Sequence, residues 1–208
     1  MITTLLAVSA LGIQAQSVND IFDPKTTITW LGMDMTGAIF IGDREKFGSQ
    51  SDIQNLIKSW NDVLEREKEK FNVQLMVHKT VPVDMKLDVT RNHNSDLDIS
   101  NILSEKTGDH VHLRKNGVEQ IAAAYNFDGA TGVGLMFNIE SFNKTNNEAS
   151  LWVTFINMGT GEVIITERMT ANPGGAGVRN YWLGAVRGIM EKVKKKEFTV
   201  WQKKYKQN

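Results

Sequence analysis

Three apolar stretches in the last third of the chain are separated by short turns, and this spacing constrains the fold more than any other feature. Residues 133–139 alternate between apolar and small or polar side chains, residues 150–157 are strongly apolar, and residues 163–170 alternate again. Turns as short as residues 143–147 and 159–161 leave no room for a crossover, so successive strands must run antiparallel. The sequence therefore predicts a three-stranded antiparallel meander.

Helices are predicted before and after this meander. Ser51 and Gln54 have the spacing of a capping box, and apolar residues then recur at helical spacing as far as Phe71, which indicates an amphipathic helix of about 20 residues. After the meander, the glycine-rich residues 173–177 end the sheet, and apolar residues in 178–193 predict a helix that packs back on it.

The remaining segments predict further strands and one more helix. Residues 27–41 are rich in β-branched and aromatic side chains and predict one long central strand. Residues 73–77 and 81–89 alternate and predict two short strands, or one strand at an edge of the sheet. Residues 118–125 predict a helix. The expected fold is α/β (α+β), a single-domain mixed, largely antiparallel sheet with helices packed on it, ending in a βββα unit.

The amino terminus resembles an export signal. Residues 5–13 are apolar and are followed by small and polar residues, as in a secretory signal peptide cleaved after Ala15. A bilayer span needs about 20 apolar residues, so we expect no transmembrane segment. No Lys or Arg precedes the run, which leaves open a start upstream of Met1 or a buried amino-terminal strand. We predict a signal peptide at residues 1–15, one α/β domain at 16–208, and a periplasmic or secreted protein.

Composition excludes one class of partner. The chain has 24 basic and 24 acidic side chains and no cysteine. Nucleic-acid binding requires a basic surface, and a chain without net positive charge has no excess to supply one. We therefore predict no nucleic-acid partner.

Metal ligands and cofactor motifs are scarce. His110 and His112 would point the same way from an extended segment, with His93 as a third imidazole. Two ligands rarely suffice for a metal, and the sequence contains neither cysteine nor a His-Glu-x-x-His pattern. We predict no metal site and no cofactor, and we interpret these histidines as part of a solvent-exposed polar loop.

Catalytic residues are not indicated either. Asp34, Glu140 and Glu167 lie on predicted strands, where a general acid and base pair is conceivable. We interpret them as solvated or paired with Arg168 or Lys144. The chain has no Gly-x-Ser-x-Gly nucleophile motif. We therefore predict no catalytic residue and no buried cluster of converging ionisable side chains.

A glycine-rich corner precedes the last long helix. It resembles a phosphate-binding loop, because glycines let backbone N–H groups approach an anion at a helix N-terminus. No Lys followed by Ser or Thr completes a nucleotide-binding motif. We interpret the corner as a tight strand-to-helix connection, and the alternative is a site for a carboxylate or phosphate. The residues for such contacts are Gly174, Gly175, Gly177, Arg179 and Asn180.

The carboxy terminus is basic and aromatic. Residues 191–208 contain seven lysines and two glutamates, a local charge of +5 against −5 for the rest. We predict a break in the helix near Lys196 or Glu197 and a separate helix at 197–208. This tail either contacts an anionic membrane surface or a partner protein, or docks its aromatic residues on the domain itself. Its candidate contact residues are Lys192, Lys195, Lys196, Trp201, Lys203 and Lys206.

Residues 28–32, 132–144 and 174–182 together resemble a family of uncharacterised exported proteins of Gram-negative bacteria. More loosely, residues 155–163 are similar to a turn in the periplasmic α/β domain of curli-secretion-type and penicillin-binding-protein-activator lipoproteins. Asn157 stands where those proteins have an acidic residue, and the lipidated cysteine is missing. The resemblance implies a protein that binds other envelope components without catalysis.

Together these features predict a non-enzymatic secreted or periplasmic protein that binds an envelope protein or a cell-wall component. Two alternatives stay open. One is a small-ligand or anion binder that uses residues 174–180, and the other is a hydrolase with no recognisable motif.

Overall fold

The computed structural model of the protein describes residues 17–206, and within them seven strands form one sheet with helices packed on it. The predicted signal peptide lies outside the described residues. The strands are β1 (Ile28–Asp34), β2 (Ile39–Ile41), β3 (Asp84–Met85), β4 (Leu103–Ser104), β5 (Val133–Asn143), β6 (Glu148–Asn157) and β7 (Glu162–Ala171). The helices are α1 (Val18–Phe22), α2 (Gln50–Arg66), α3 (Val73–Met76), α4 (Asp88–Ser95), α5 (Lys115–Ala123), α6 (Gly177–Lys192) and α7 (Phe198–Lys206).

The long strand β5 organises the sheet. One edge of β5 pairs along its length with β6, and β6 pairs in turn with β7, both antiparallel. The other edge pairs first with β1 and then with β2, both parallel, so β1 and β2 lie one after the other beside β5. The short strands β3 and β4 extend the sheet beyond β1 and β2, again in parallel.

The prediction of a largely antiparallel sheet is wrong, because four of the six strand pairings are parallel. The parallel partners are joined by long connections that contain helices, as parallel pairing requires. Alternation of apolar and polar residues identifies strands that are joined by short turns. The sequence pattern therefore predicted the antiparallel pairing of β5, β6 and β7, but not the parallel pairing of β1 to β4. The fold is α/β, with helices packed on a mixed sheet.

Three predicted strands differ in the structure. Residues 27–41 form two strands, because the chain turns after β1 with Ala38 N donating to Met35 O at 3.0 Å. Residues 73–77 form the short helix α3, which Asn72 caps by accepting a hydrogen bond from Leu75 N at 2.9 Å. Residues 81–89 contain only the two-residue β3 and the start of α4.

The predicted amphipathic helix is confirmed as α2, although it begins earlier and ends sooner than expected. Ser49, not Ser51, is its N-cap, and Asp52 completes the capping box. Hydrogen bonds from the Ser49 side chain and backbone lower the pKa of Asp52. Helices α2, α6 and α7 cover one face of the sheet with a core that includes Trp60, Trp182, Phe142 and Phe198.

The opposite face carries a smaller apolar cluster under α5. It consists of Leu31, Ala122, Tyr125, Phe127, Met136, Ile156 and Met158. The apolar residues of this cluster cover only part of the face. The rest of this face carries polar side chains, among them Asp34, Glu140 and Ser141.

Candidate functional site

Asp34 is the centre of the first group of buried polar side chains. Its carboxylate accepts hydrogen bonds from Tyr125 Oη at 2.7 Å, Thr36 Oγ1 at 2.6 Å and Asn138 Nδ2 at 3.0 Å. Thr154 Oγ1 donates to Asn138 Oδ1 at 2.7 Å and so extends the group to β6. Burial, and then the charge of Asp34, raises the pKa of Tyr125 well above its ordinary value.

Glu140 and Arg168 form the second group. Glu140 is completely buried, and its Oε2 accepts from Ser150 Oγ at 2.6 Å and lies 2.9 Å from Arg168 Nε. Its Oε1 accepts from Leu113 N at 2.7 Å. The Arg168 side chain also donates to Leu113 O. Glu140 is therefore paired with Arg168, as the sequence analysis proposed.

A third group joins a serine, a histidine and a glutamate. His110 Nδ1 lies 2.7 Å from Ser141 Oγ, and His110 Nε2 lies 2.9 Å from Glu148 Oε2. A serine nucleophile, a histidine base and a carboxylate that orients the histidine are linked in this order in catalytic triads. Ser141 is completely buried, however, and its hydroxyl donates to His110 O at 2.8 Å. A substrate carbonyl cannot reach this oxygen in the structure.

The prediction that no ionisable side chains converge inside the protein is therefore wrong. Asp34 and Glu140 are buried, because they lie on the sheet face that α5 and the preceding loop cover. Glu167, the third carboxylate considered in the sequence, stays partly exposed, and its Oε1 lies 2.6 Å from Lys204 Nζ. Both oxygens of each buried carboxylate accept hydrogen bonds from the protein itself. These groups fix the β1, β5 and β7 strands relative to one another.

The prediction that the histidines lie in a solvent-exposed loop is wrong, because His110 is buried and His93 and His112 are half-buried. His112 Nδ1 lies 2.8 Å from Asp109 O, and its Nε2 lies 3.0 Å from Gly37 O. The His93 ring packs on the Tyr125 ring, with the two ring centroids 4.5 Å apart. Across residues 17–206, no group of three or more His, Asp or Glu side chains is placed to hold a metal ion.

The glycine-rich corner lies at one edge of the sheet, where β2, β5 and β7, which run in the same direction, all end. The carboxyl ends of β2, β5 and β7 are neighbours, since Ile41 pairs with Asn143 in β5 and Ala171 in β7 pairs with Ala149 in β6, which itself pairs with Phe142 in β5. In open α/β sheets ligands bind at the carboxyl ends of the strands. The corner lies at the corresponding edge of this sheet.

A small cavity opens at this corner, and we call it the corner cavity. Its volume is about 180 Å³, and it is lined by Lys46, Lys144, Gly175, Gly177, Val178, Tyr181 and Trp182. Two lysines and no carboxylate line it. Lys144 Nζ lies 3.6 Å from the centre of the Tyr181 ring, and Lys46 Nζ forms an exposed ion pair with Asp43 at 2.8 Å.

Helix α6 begins at the corner cavity without a capping side chain. Its N-cap residue is Ala176, and no side chain accepts a hydrogen bond there. By contrast, Ser49 and Asp52 cap the neighbouring α2. The first N–H groups of α6 therefore have no side-chain partner at its N-cap, and such groups attract anions.

The backbone of the corner is packed tightly on α6. Gly174 N donates to Tyr181 O at 3.0 Å, and a Cβ on Gly184 would lie 1.9 Å from Gly174 O. A Cβ on Gly175, which has a φ of +132°, would lie 2.8 Å from Asn180 O. Only glycine fits at these two positions without a shift of the neighbouring backbone.

The structure places only part of the predicted anion contact set in the corner cavity. Gly175 and Gly177 line it, but Gly174 turns back toward Gly184. Arg179 lines an adjoining depression instead, and its Nε lies 3.3 Å from Asn180 Oδ1. Sequence reasoning missed Lys46 and Lys144, because they are distant in the chain and only the parallel sheet brings them to the corner.

The carboxy-terminal residues divide into buried and exposed sets. The predicted break near Lys196 or Glu197 is instead the π-helical turn Val193–Glu197, through which the chain stays helical from α6 into α7. Trp201 is 4% exposed and packs in the core, so its prediction as a surface contact is wrong. Lys192 is exposed, but its Nζ donates to Thr170 O at 2.7 Å. The other predicted contacts are exposed: Lys195, Lys196, Lys203 and Lys206.

Comparison with known proteins gives little beyond this geometry. The sequence matches no protein-family model and no curated protein. Among solved structures, the chain is similar to the lipoprotein GNA1162 from Neisseria meningitidis, at 9% sequence identity and a TM-score of 0.32, covering 80% of this chain and 98% of that one. In the described part of the chain, no helix is long and apolar enough to cross a bilayer.

Proposed function

We propose that the protein is a non-catalytic binding protein that holds an anionic group of its partner, a carboxylate or a phosphate, in the corner cavity. The observation that carries this proposal is the convergence of Lys46, Lys144 and the uncapped start of α6 at the carboxyl ends of parallel strands. Each of these features attracts negative charge.

The lysines contribute most of the expected affinity. A helix N-terminus stabilises a surface anion by about 0.3–1 kcal/mol. A hydrogen bond to a charged group contributes about 1.5–3 kcal/mol. Removal of both lysines should therefore weaken binding strongly even though the helix N-terminus remains.

The volume of the cavity limits what it can hold. Pockets for whole small molecules measure about 300–1,000 Å³, whereas the corner cavity measures about 180 Å³. It suits one anionic group of a larger partner. The partner that we propose is an envelope protein or a cell-wall component, as the export-type amino terminus of the sequence suggests.

The test is calorimetric titration of the full chain with inorganic phosphate and with succinate. We expect saturable binding that Lys46→Gln/Lys144→Gln weakens at least tenfold. Lys58→Gln/Lys86→Gln removes two exposed lysines on other elements and should bind like the unmodified chain. Equal binding by all three proteins, or none by any of them, contradicts the proposal.

The class of partner needs a separate measurement. Purified cell-wall sacculi and an envelope protein fraction are mixed with the same three proteins, and the bound fraction is measured after sedimentation or cross-linking. We expect binding to one of the two that depends on Lys46 and Lys144. Anion binding without any such retention would leave the site intact and reject this class of partner.

A hydrolase is the second candidate, because Ser141, His110 and Glu148 form a hydrogen-bonded series. The burial of Ser141 argues against it. A fluorophosphonate probe, which reacts with activated serines, separates the two functions. We expect no labelling of Ser141, and labelling that Ser141→Ala removes would favour the hydrolase.

A further inference from the structure

The exposed face of α7 and the preceding π-helical turn is a basic surface, which we define by Lys195, Lys196, Lys203, Lys206 and Val200. Lys195 and Lys196 are 74% and 75% exposed at the side chain. Their partners, Glu191 at 3.3 Å and Glu197 at 3.5 Å, form exposed pairs that are weak and screened by solvent. Within residues 17–206, Lys203 and Lys206 form no ion pair.

The opposite side of α7 is fixed to the core. Phe198 and Trp201 are buried, and Tyr205 Oη donates to Glu167 Oε1 at 2.8 Å. The helix backbone that carries the lysines is therefore fixed before any partner arrives, which lowers the entropic cost of binding. Because its apolar side is already occupied, α7 cannot insert into a bilayer as an amphipathic helix does.

We propose that the basic surface docks the protein on an anionic lipid surface by electrostatic attraction. Charge complementarity supports this partner, since residues 191–206 carry seven lysines against two glutamates while the rest of the chain has the opposite net charge. This separation of charge turns the basic surface toward a negative plane. The proposal is independent of the corner cavity.

The type of cation favours a lipid surface over an acidic protein. Every basic residue in 191–206 is a lysine and none is an arginine. Arginine suits the bidentate recognition of individual carboxylates, whereas lysine acts as a hydrated point charge and suits a diffuse layer of headgroups. Val200, which is 42% exposed, lies on the same helix face as Lys203 and gives a shallow apolar contact.

The test is co-sedimentation of the full chain with vesicles of phosphatidylcholine, with and without phosphatidylglycerol. Each lysine near an anionic surface strengthens binding about fivefold, so Lys195→Gln/Lys196→Gln/Lys203→Gln should weaken binding to the anionic vesicles about a hundredfold. At roughly 1 M salt the Debye length is about 3 Å, and binding should disappear. The neutral vesicles measure any contribution from the apolar amino-terminal residues.

Two controls separate the basic surface from other sources of charge. Lys58→Gln/Lys86→Gln/Lys106→Gln removes the same charge from exposed positions on other parts of the chain, and it should retain most of the binding. Lys46→Gln/Lys144→Gln should also retain it, which separates this surface from the corner cavity. Equal loss in the two triple variants, or binding that resists salt, overturns the proposal. Retention by polyglutamate but not by anionic vesicles also overturns it and indicates an acidic protein partner.

Discussion

Arg168 on β7 reaches over Trp152 on β6 to pair with Glu140 on β5. The Arg168 guanidinium lies 4.5 Å from the centre of the Trp152 ring, and its Nε lies 2.9 Å from Glu140 Oε2. The pair thus joins three neighbouring strands on the face that α5 covers. Its role is to hold the sheet together, which explains why a buried carboxylate exists in a protein for which we propose no catalysis.

Removal of the arginine should destabilise the protein. Arg168→Met leaves Glu140 buried with Ser150 and Leu113 as its remaining donors. Breaking a buried ion pair costs about 3–5 kcal/mol, and the partial exposure of Arg168 places the expected loss near about 3 kcal/mol. Urea denaturation measures it. As a control, Lys204→Met breaks the exposed pair with Glu167 and should lower the free energy of unfolding by less than about 1 kcal/mol. Equal losses of stability in the two variants would contradict a structural role for the buried Arg168–Glu140 pair.

Tyr125 should ionise only when the protein unfolds. Burial and the adjacent Asp34 raise its pKa, so it stabilises the folded state below its unfolded pKa of 10.0, and this stability declines as pH rises above that value. The chain has three tyrosines, and absorbance titration at alkaline pH counts their ionisation steps. We expect Tyr125→Phe to remove the step that coincides with unfolding. Loss of an earlier step instead would contradict the buried hydrogen bond.

Lys79 gives a pH dependence of the opposite sign. Its Nζ donates to the backbone oxygens of Asp20 at 3.1 Å, Ile21 at 2.8 Å and Asp23 at 2.6 Å, where α1 ends. Burial lowers the pKa of Lys79 to about 8 from 10.5. The folded protein therefore releases this proton first, so its stability increases as pH rises from about 8 toward 10.5.

Comparison with Lys79→Met isolates this effect. Between about pH 7.5 and 9.5, the free energy of unfolding of the unmodified protein should rise relative to the variant by on the order of 1 to 2 kcal/mol. Chemical denaturation at several pH values measures the difference. Parallel curves for the two proteins would mean that Lys79 keeps its ordinary pKa.

Gly184 in α6 and Gly174 in the corner, which contact each other, should respond differently to alanine. Alanine normally stabilises a helix interior by about 0.5–1 kcal/mol relative to glycine. In Gly184→Ala, however, the new Cβ would lie 1.9 Å from Gly174 O, so the corner must move. We expect lower thermal stability and weaker phosphate binding. In Gly174→Ala the new Cβ would point into open space, so thermal stability and phosphate binding should stay unchanged. A Gly184→Ala variant more stable than the unmodified protein would contradict the close contact between Gly184 and Gly174.

The sequence predicts helices better than strand pairing. The long periodic pattern of α2 identified it within a few residues, and the aromatic residues of α7 dock on the domain, as one of the two alternatives proposed. The short alternation at residues 73–77 was ambiguous, and the cap at Asn72 made it a helix. Patterns of three or four residues do not distinguish the two structures.

The site was only half predictable for a related reason. Gly175 and Gly177 were visible in the sequence as a corner before a helix, because they are neighbours in the chain. Lys46 and Lys144 reach the same cavity from the ends of β2 and β5, and only the parallel pairing of those strands brings them together. A prediction that lacks the parallel pairings cannot find such residues.

An NMR titration of the full chain with inorganic phosphate tests anion binding at the corner cavity residue by residue. We expect the backbone amide signals of Gly177 and Val178 to shift saturably and more than those of other residues. In Lys46→Gln/Lys144→Gln we expect these shifts to disappear while the spectrum remains that of a folded protein. Saturable shifts centred on another part of the protein, or no shifts at any concentration, would contradict anion binding at the corner cavity.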